Sequence, residues 1–459
     1  MTTSKEKNKK KSLEPTKKAS TKDGRKEDKQ YLHAPKGMHD YLPYDQLWRD
    51  RVRSVGADLA EAYSFGRIET PLVEDAELFV RGIGEETDLV GKEMYTLKTK
   101  GGDTLVLRPE GTAPTLRAYL DHGLGSQSQP QRLYYESFTY RYEKPQAGRF
   151  RQHTQTGFEI IGGVSDAVYD AEVIIIINRF LRDLKLKNIV LKINSIGCRV
   201  CRPTYRQLLI NYYKKHEKEL CADCQKRLLS NPLRLLDCKN EKCQALKNDA
   251  PNILDKICTI CSRHFKSVFE YLDEVGVAYE LDHRLVRGLD YYSRTVFEFY
   301  IAETDLGAVA SGGRYDYLAE MLGARPTPGV GGAIGWERII EAMKIQSVKL
   351  SDKNPKKIFV IHVGALAKKK AFKLINDLRG SSFQVGDALG KESLKAQLKA
   401  ADKEKAVFAL IIGQKEIFEE SVIVRDLRTG TQETIRVDRL EEELRRRWRE
   451  VITTQAKNE

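Results

Sequence analysis

The sequence predicts an α+β domain built on an antiparallel sheet, interrupted by a cysteine-rich insertion and followed by a separate small α/β domain. Three observations carry this. Between residues 31 and 346, short apolar or alternating runs far outnumber helical periods, which favours an antiparallel sheet over a doubly wound one. Beyond a polar stretch, Ser347 to Lys357 with Asn354-Pro355, apolar runs alternate with helical ones over about 100 residues, an ordinary domain size. All eight cysteines fall between Cys198 and Cys261. The expected boundaries are a tail at 1–30, the first domain at 31–346 with its insertion at 198–262, and the second domain at 356–459.

Each element has its own signal. Leu47, Val52, Val55, Leu59 and Ala62 recur at helical spacing between Asp45 and Tyr63. An extended Arg67–Val73 follows. Strands are expected at Leu105–Leu107, Arg132–Phe138 and Gly157–Ile161, a helix from Asp166 to Leu184, then strands at Ile189–Asn194, Val296–Ile301 and Ala308–Ser311. Gly329–Ile334 reads as a strand leading into a helix from Trp336. In the second domain, Ile358–Val363, Val407–Ile412 and Val422–Leu427 read as strands. Lys369–Leu378, Leu394–Ala401 and a closing Leu440–Val451 read as helices. No internal repeat is evident.

Hydrophobic residues make up 41% of the 459, enough for globular domains, and no apolar run reaches membrane-spanning length. The formal net charge is +13; residues 1–30 hold 11 Lys+Arg and 5 Asp+Glu, so +6 belongs to the tail and +7 to the rest. Such a tail is expected to be disordered. It serves either as a solubilising segment or as an electrostatic arm for RNA, and the sequence leaves both open. It lacks the apolar core of a secretory signal, so a cytoplasmic location is expected.

Three arginines sit in stretches with chemical meaning. Arg141 lies in Tyr140-Arg141-Tyr142-Glu143, before the basic loop Lys144–Arg151. Arg287 opens Arg287-Gly288-Leu289-Asp290-Tyr291-Tyr292. Arg338 closes Gly335-Trp336-Glu337-Arg338. A guanidinium stays charged near neutral pH, and its planar fork suits phosphate oxygens. Converging on one pocket, the three would hold a triphosphate without a Gly-rich phosphate loop. Neither Gly329-Val330-Gly331 nor Gly386 to Lys391 has the spacing of a dinucleotide or Walker-type motif.

Together with Ile68-Glu69-Thr70-Pro71, Arg108-Pro109-Glu110-Gly111-Thr112-Ala113 and Ser311-Gly312-Gly313-Arg314-Tyr315-Asp316, these stretches resemble the class II aminoacyl-tRNA synthetases, specifically the histidyl-tRNA synthetase family, from about Ala34 to Leu440. The resemblance implies a class II catalytic domain, a C-terminal anticodon-binding domain and a homodimer built through the Asp45–Pro71 region. It implies histidine, ATP with Mg²⁺ and tRNA(His) as partners, and no membrane. Arg141 and Arg287 would be the catalytic residues, gripping the α-phosphate and carboxylate, with Arg338 on the γ-phosphate end. Glu110, Gly111, Thr112 and Gln155 would hold the substrate ammonium. Glu159 and Tyr292 would read the imidazole, with Tyr291 and Tyr315 beside them. Asp290 and Arg314 would support this shell, and Gln146, Arg149 and Arg151 would meet RNA or ATP.

One departure from the family pattern stands at Gly331-Gly332-Ala333-Ile334-Gly335-Trp336, where the family's phenylalanine is Gly332 and its leucine is Trp336. Exchange of one aromatic for another nearby is the expected compensation. The rival to a ligase is a regulatory paralogue that binds histidine without charging RNA. It generally lacks the C-terminal domain and part of the catalytic set, both present here.

The cysteines form four close pairs, Cys198/Cys201, Cys221/Cys224, Cys238/Cys243 and Cys258/Cys261. Such spacings suit one or two tetrahedral, structural Zn²⁺ ions; disulfides and free buried thiols are the other fates. By resemblance residues 202–257 are the family's insertion. Its exit pair Cys198/Cys201 and return pair Cys258/Cys261 could then share one ion, and the inner four a second. Loss of metal is expected to weaken transfer to RNA more than adenylate formation.

Overall fold

The computed structural model describes residues 32–85, 87–146, 148–350 and 357–456. The tail at 1–30 and most of the linker lie outside these residues. The chain divides into two compact units, Met1–Leu350 and Ser351–Glu459.

The first unit opens with α1 (Pro43–Ala62). It begins two residues before its apolar period, because Pro43 is preset for the first helical position and Asp45 accepts the Leu42 N–H at 3.0 Å. Val52, Val55 and Leu59 form its buried stripe. A two-residue β1 (Gly66–Arg67) leads to a small antiparallel sheet of β2 (Val73–Asp75), β3 (Tyr95–Lys98) and β4 (Thr104–Leu107), in the order β2-β4-β3. The helices α2 (Ala76–Ile83) and α3 (Thr112–Asp121) accompany it. Periodicity does not reveal α3: Ala113, Pro114, Thr115 and Leu116 are all buried, so no polar face marks it. Pro114 reads as a breaker, yet it sits in the first turn, where its missing N–H costs nothing.

The main sheet adds β5 (Gln131–Tyr140), β6 (Gln152–Ile161), β7 (Ile189–Ser195), β8 (Glu280–Leu281), β9 (Ser293–Ile301), β10 (Ala310–Arg314) and β11 (Gly329–Gly335). Its order is β1-β5-β6-β11-β10-β9-β7-β8. Only the outer pairs β1/β5 and β7/β8 are parallel; the interior is antiparallel, as expected. β6 starts five residues before the apolar run that announces it, because its first half, Gln152–Thr156, is polar yet pairs fully with β5.

The helix α4 (Ala167–Asp183) is capped by Asp166, which accepts the Val168 N–H at 2.9 Å. It lays Val173, Ile174, Ile177 and Phe180 on one face of the sheet. The insertion leaves after β7 and is helical: α5 (Cys201–Lys215), α6 (Ala222–Ser230) and α7 (Glu241–Lys247), returning through α8 (Thr259–Glu274). The short α9 (Leu318–Met321) precedes β11, and α10 (Trp336–Ile345) follows it directly.

The second unit contains β12 (Ile358–His362), α11 (Ala365–Gly380), β13 (Val385–Asp387), α12 (Leu394–Lys403), β14 (Phe408–Ile412), α13 (Gln414–Phe418), β15 (Ser421–Asp426), β16 (Gln432–Arg436) and α14 (Leu440–Ala456). Its sheet runs β13-β12-β14-β15-β16, parallel over the first three strands and antiparallel beyond. Alternation along β12 sends Ile358 and Val360 into one core and Phe359 and Ile361 into the other.

Candidate active site

Strand alternation builds the floor of a cleft in the first unit. In β6, Thr154 and Thr156 bond Arg49 of α1 and Trp336 of α10, and Phe158 joins the same core. Gln155, Gly157 and Glu159 therefore face the opposite side. Tyr135 of β5 is the cross-strand partner of Gly157 and occupies its space: a Cβ on Gly157 would stand 2.1 Å from the Tyr135 ring.

Glu159 is fully buried. Its Oε1 accepts from Thr112 Oγ1 at 2.7 Å and its Oε2 from the Tyr315 hydroxyl at 2.6 Å. Burial pushes its carboxyl up to about 8, against those two hydrogen bonds. Glu110, also buried, accepts the backbone N–H groups of Thr112 and Ala113 at 2.6 and 2.9 Å, at the start of α3. Burial raises its pKa, and the two amides restrain the rise. Tyr315 is oriented by its neighbour Arg314, which is buried against Asp170 and also donates to Asp316 at 3.0 Å.

Each arginine is held by part of its guanidinium. Arg287 donates to Glu298 and, at 2.8 Å, to Ser311 Oγ; these two acceptors are cross-strand partners in β9 and β10. Burial works against the Arg287 charge, and Glu298 more than restores it. Arg287 Nε has no partner among the described residues. Arg141 Nε donates to Pro109 O at 2.9 Å. Arg338 Nε donates to Gly148 O at 3.2 Å and its Nη1 to Ala308 O. Glu337 anchors the start of α10 by accepting from Thr154 N at 3.0 Å and Tyr41 OH at 2.7 Å. Between these arginines lies His153, whose imidazole is driven down to about 3 by burial, then by Arg141 and Arg338.

The cleft has a volume of about 1070 Å³. Arg141, Arg287, Arg338, Glu110, Thr112, Gln155, Tyr291 and Tyr292 line it, as do Gln146 and Arg149. Gly111, Glu159 and Tyr315 stand behind this lining. Arg151 does not open on it; its guanidinium lies 3.8 Å from the Tyr142 ring centroid. The Gln155 Oε1, Tyr291 OH and His153 Nδ1 atoms are buried without hydrogen-bond partners among the described residues, which marks the cleft as built for a polar ligand.

Sequence reasoning missed Glu298 and Ser311. Glu298 did carry a signal, as a lone acid within Val296-Phe297-Glu298-Phe299-Tyr300. It also missed Asn231 and Arg234, whose setting has no sequence signature. Asn231 Nδ2 donates to both oxygens of Asp290 at 2.9 and 3.0 Å, and Arg234 Nη1 donates to Arg287 O at 3.3 Å. Compensation for the absent phenylalanine also takes another form. A Cβ on Gly332 would meet Ile177 at 2.6 Å and Phe297 at 3.1 Å, so those two side chains fill the space. Trp336 packs under Arg49, 4.8 Å from its ring.

The cysteines converge in two groups: Cys198, Cys201, Cys258 and Cys261, and Cys221, Cys224, Cys238 and Cys243. None of the eight is joined in a disulfide.

Residues 37–339 match the histidyl-tRNA synthetase family and residues 357–447 the anticodon binding domain family. The histidine–tRNA ligase of Dehalococcoides mccartyi strain 195 is 45% identical over 408 residues, covering 89% of this chain and 97% of that protein. The enzyme of Caldanaerobacter subterraneus is 43% identical over 415 residues, covering 90% and 99%. The apo histidyl-tRNA synthetase of S. aureus superposes with a TM-score of 0.76 at 32% identity, covering 90% of this chain and 99% of that one. A Bacillus halodurans structure titled as an ATP phosphoribosyltransferase regulatory subunit/histidyl-tRNA synthetase, 23% identical with a TM-score of 0.59, shares the fold. With the family matched over residues 37–339 and relatives aligned over about nine-tenths of its length, this chain belongs to the histidyl-tRNA synthetase family.

Proposed function

We propose that the protein ligates L-histidine to tRNA(His) through a histidyl-adenylate. The observation that carries this is the cleft itself: three arginines around a floor of Glu110, Thr112, Gln155 and Tyr292. In the first step a histidine carboxylate oxygen attacks the α-phosphorus of ATP, supplied as its Mg²⁺ complex, and pyrophosphate leaves. Both reactants are anions. Arg141 and Arg287 neutralise their repulsion and stabilise charge developing on the phosphoryl oxygens, while Arg338 holds the γ-phosphate end. In the second step a 3′-terminal ribose hydroxyl attacks the activated carbonyl and AMP leaves.

Glu110, Thr112 and Gln155 receive the substrate ammonium; Gly111 shapes the turn between them. Tyr292 and Glu159 read the two ring nitrogens. Glu159 does so from behind the lining, with Thr112 and Tyr315 fixing its oxygens. Tyr291, with its unpaired hydroxyl, completes the imidazole pocket. A site that satisfies both nitrogens rejects isosteres that would strand a buried polar group.

The second unit reads the anticodon, in keeping with its family match. A homodimer is supported by the apolar side chains left exposed on and near α1: Tyr44, Leu47 and Leu72. Among the described residues no helix is long and apolar enough to cross a membrane; a cytoplasmic location follows from the proposed role in translation. The cysteine groups hold structural Zn²⁺. The regulatory alternative is not favoured, because every site residue and the anticodon-binding unit are present.

The test is ATP–pyrophosphate exchange with each amino acid in turn, followed by charging of tRNA(His). Exchange with histidine alone, then charging, is expected. Histidine binding without exchange would replace this reading with the regulatory one.

A further inference from the structure

The insertion buries Tyr205, Leu209, Tyr213, Leu228 and Leu235, in one cluster with residues of the catalytic domain such as Leu285 and Leu289. Its helices α6 and α7 have only 9 and 7 residues, too short to persist without outside support. Two groups of four thiols stand where that support is needed. Within each group all sulfur atoms lie within 4.8 Å of one another. The Sγ–Sγ distances are 3.6 Å for Cys198–Cys201, 4.0 Å for Cys198–Cys258 and 3.8 Å for Cys221–Cys238. A disulfide needs about 2.05 Å. Four sulfurs at tetrahedral corners, each about 2.3 Å from a Zn²⁺, stand about 3.8 Å apart.

Backbone N–H groups also point at the sulfurs: Cys258 N to Cys201 Sγ at 3.0 Å, Cys221 N to Cys243 Sγ at 3.3 Å, and Asn240 N to Cys238 Sγ at 3.4 Å. Such donors favour thiolate over thiol and orient metal ligands. No histidine or carboxylate belongs to either group, so both are closed, four-thiolate sites.

The two sites differ in place. The first joins the chain leaving β7 to the chain entering α8, closing the neck of the insertion. The second borders the cleft: Cys221 and Cys238 are part of its wall. Between them in sequence run α6 and the turn holding Asn231 and Arg234, which grip Asp290 and the carbonyl of Arg287. Arg227 of α6 also pairs with Asp88, across the same wall.

We propose that each chain binds two structural Zn²⁺ ions, one at each four-cysteine site, and that the inner ion holds Asn231 and Arg234 against the Arg287 loop. This rests on the proposed adenylation role of Arg287. Arg234 is then a positioning residue, acting through Arg287. Metal at the inner site then bears directly on adenylate formation, the step expected from the sequence to suffer less.

The experiment uses the full chain, expressed with zinc and purified under reducing conditions. Metal analysis is expected to find two zinc per chain, falling to one in Cys198→Ser/Cys258→Ser and to one in Cys221→Ser/Cys238→Ser. Should either variant fail to fold, mercurial titration of the wild type against a chromogenic chelator is expected to release two equivalents. Folded, active wild type with eight titratable thiols and no metal overturns the metal assignment. Arg234→Ala, with both zinc ions retained, is expected to lower kcat for pyrophosphate exchange by about 10- to 100-fold while KM for histidine and ATP stays within about twofold, with partial recovery in Arg234→Lys. Wild-type kcat in zinc-replete Arg234→Ala overturns the coupling. Absence of exchange in zinc-replete wild type would instead defeat the reading of Arg287 while leaving the metal assignment standing.

Discussion

Glu159 and Gly331 are cross-strand partners in β6 and β11, and a Cβ at Gly331 would lie 1.6 Å from Glu159 Oε2. The glycines of β11 thus make room for the buried carboxylate and its partner; a Cβ at Gly329 would likewise stand 2.2 Å from the Tyr315 ring. Gly331→Ala must displace Glu159 from Tyr315. Overpacking of this kind costs about 1–3 kcal/mol. Thermal melts are expected to show a modest loss of stability, and exchange kinetics a rise in KM for histidine of about 10-fold, the size of one lost hydrogen bond to a buried group. An unchanged KM would remove Glu159 from the histidine pocket.

Stability should depend on pH through Glu159. Its carboxyl is raised to about 8, whereas an unfolded glutamate titrates near about 4.3. Between those values the folded state keeps a proton that the unfolded state has lost, so stability falls as pH rises through this window and levels off above it. Glu159→Gln, which keeps the neutral shape, is expected to flatten that slope in denaturant unfolding measured from pH 5 to 9. His153 acts in the opposite sense and elsewhere. With its imidazole held down to about 3, its stabilising contribution is complete above about 6.5 and is lost as pH falls toward 3. The interval from about 6.5 to 8 therefore isolates Glu159. Equal slopes for both proteins there would contradict the assignment.

Arg287→Ala is expected to lower pyrophosphate exchange by about 10²- to 10³-fold, or about 3–4 kcal/mol of barrier, the scale of one lost oxyanion donor. Arg287→Lys should recover little. A single ammonium cannot satisfy Glu298 and Ser311 together and still present a donor to the cleft. Far-ultraviolet circular dichroism would confirm that the variants fold, and recovery by lysine to near wild-type rates would show that charge alone suffices.

Asp170 is fully buried and accepts from Arg314 Nε at 3.0 Å and from His264 Nε2 at 3.3 Å. Burial opposes its ionisation, but Arg314 and His264 together hold the carboxyl below the usual range. Asp170→Asn leaves the Arg314 charge without its main partner and is expected to cost about 3–5 kcal/mol in urea unfolding. A loss under about 1 kcal/mol would mean that its other acceptors, Asp316, Ser165 Oγ and the Asp166 carbonyl, can support Arg314.

Much of the fold was legible because the sheet carries the apolar alternation and α1 and α4 carry their stripes. What hid were elements whose environment erases the pattern. Buried on all sides, α3 shows no polar face. The first half of β6 is polar on both faces, with His153 and Gln155 on the cleft and Thr154 and Thr156 on Arg49 and Trp336. In the insertion, α6 and α7 are too short for a period. At the site, the three arginines and Glu110, Thr112, Gln155, Tyr291 and Tyr292, which line the cleft with them, were legible through motif context. Their supports were less so. Glu298 stood out only as an acid among aromatics, and Asn231 and Arg234 meet Asp290 and Arg287 across more than 50 residues of chain, a relationship local pattern cannot encode.

Arg338 gives its Nε hydrogen to the carbonyl of Gly148 and one Nη1 hydrogen to that of Ala308, so part of the fork is used and part is not. The remaining donors suffice for a polyphosphate while Nε stays on Gly148, at the tip of the Lys144–Arg151 loop. On the proposed reading, the cation that seats the far end of the nucleotide is also the one that fastens the basic loop, so fuel and loop share a single anchor.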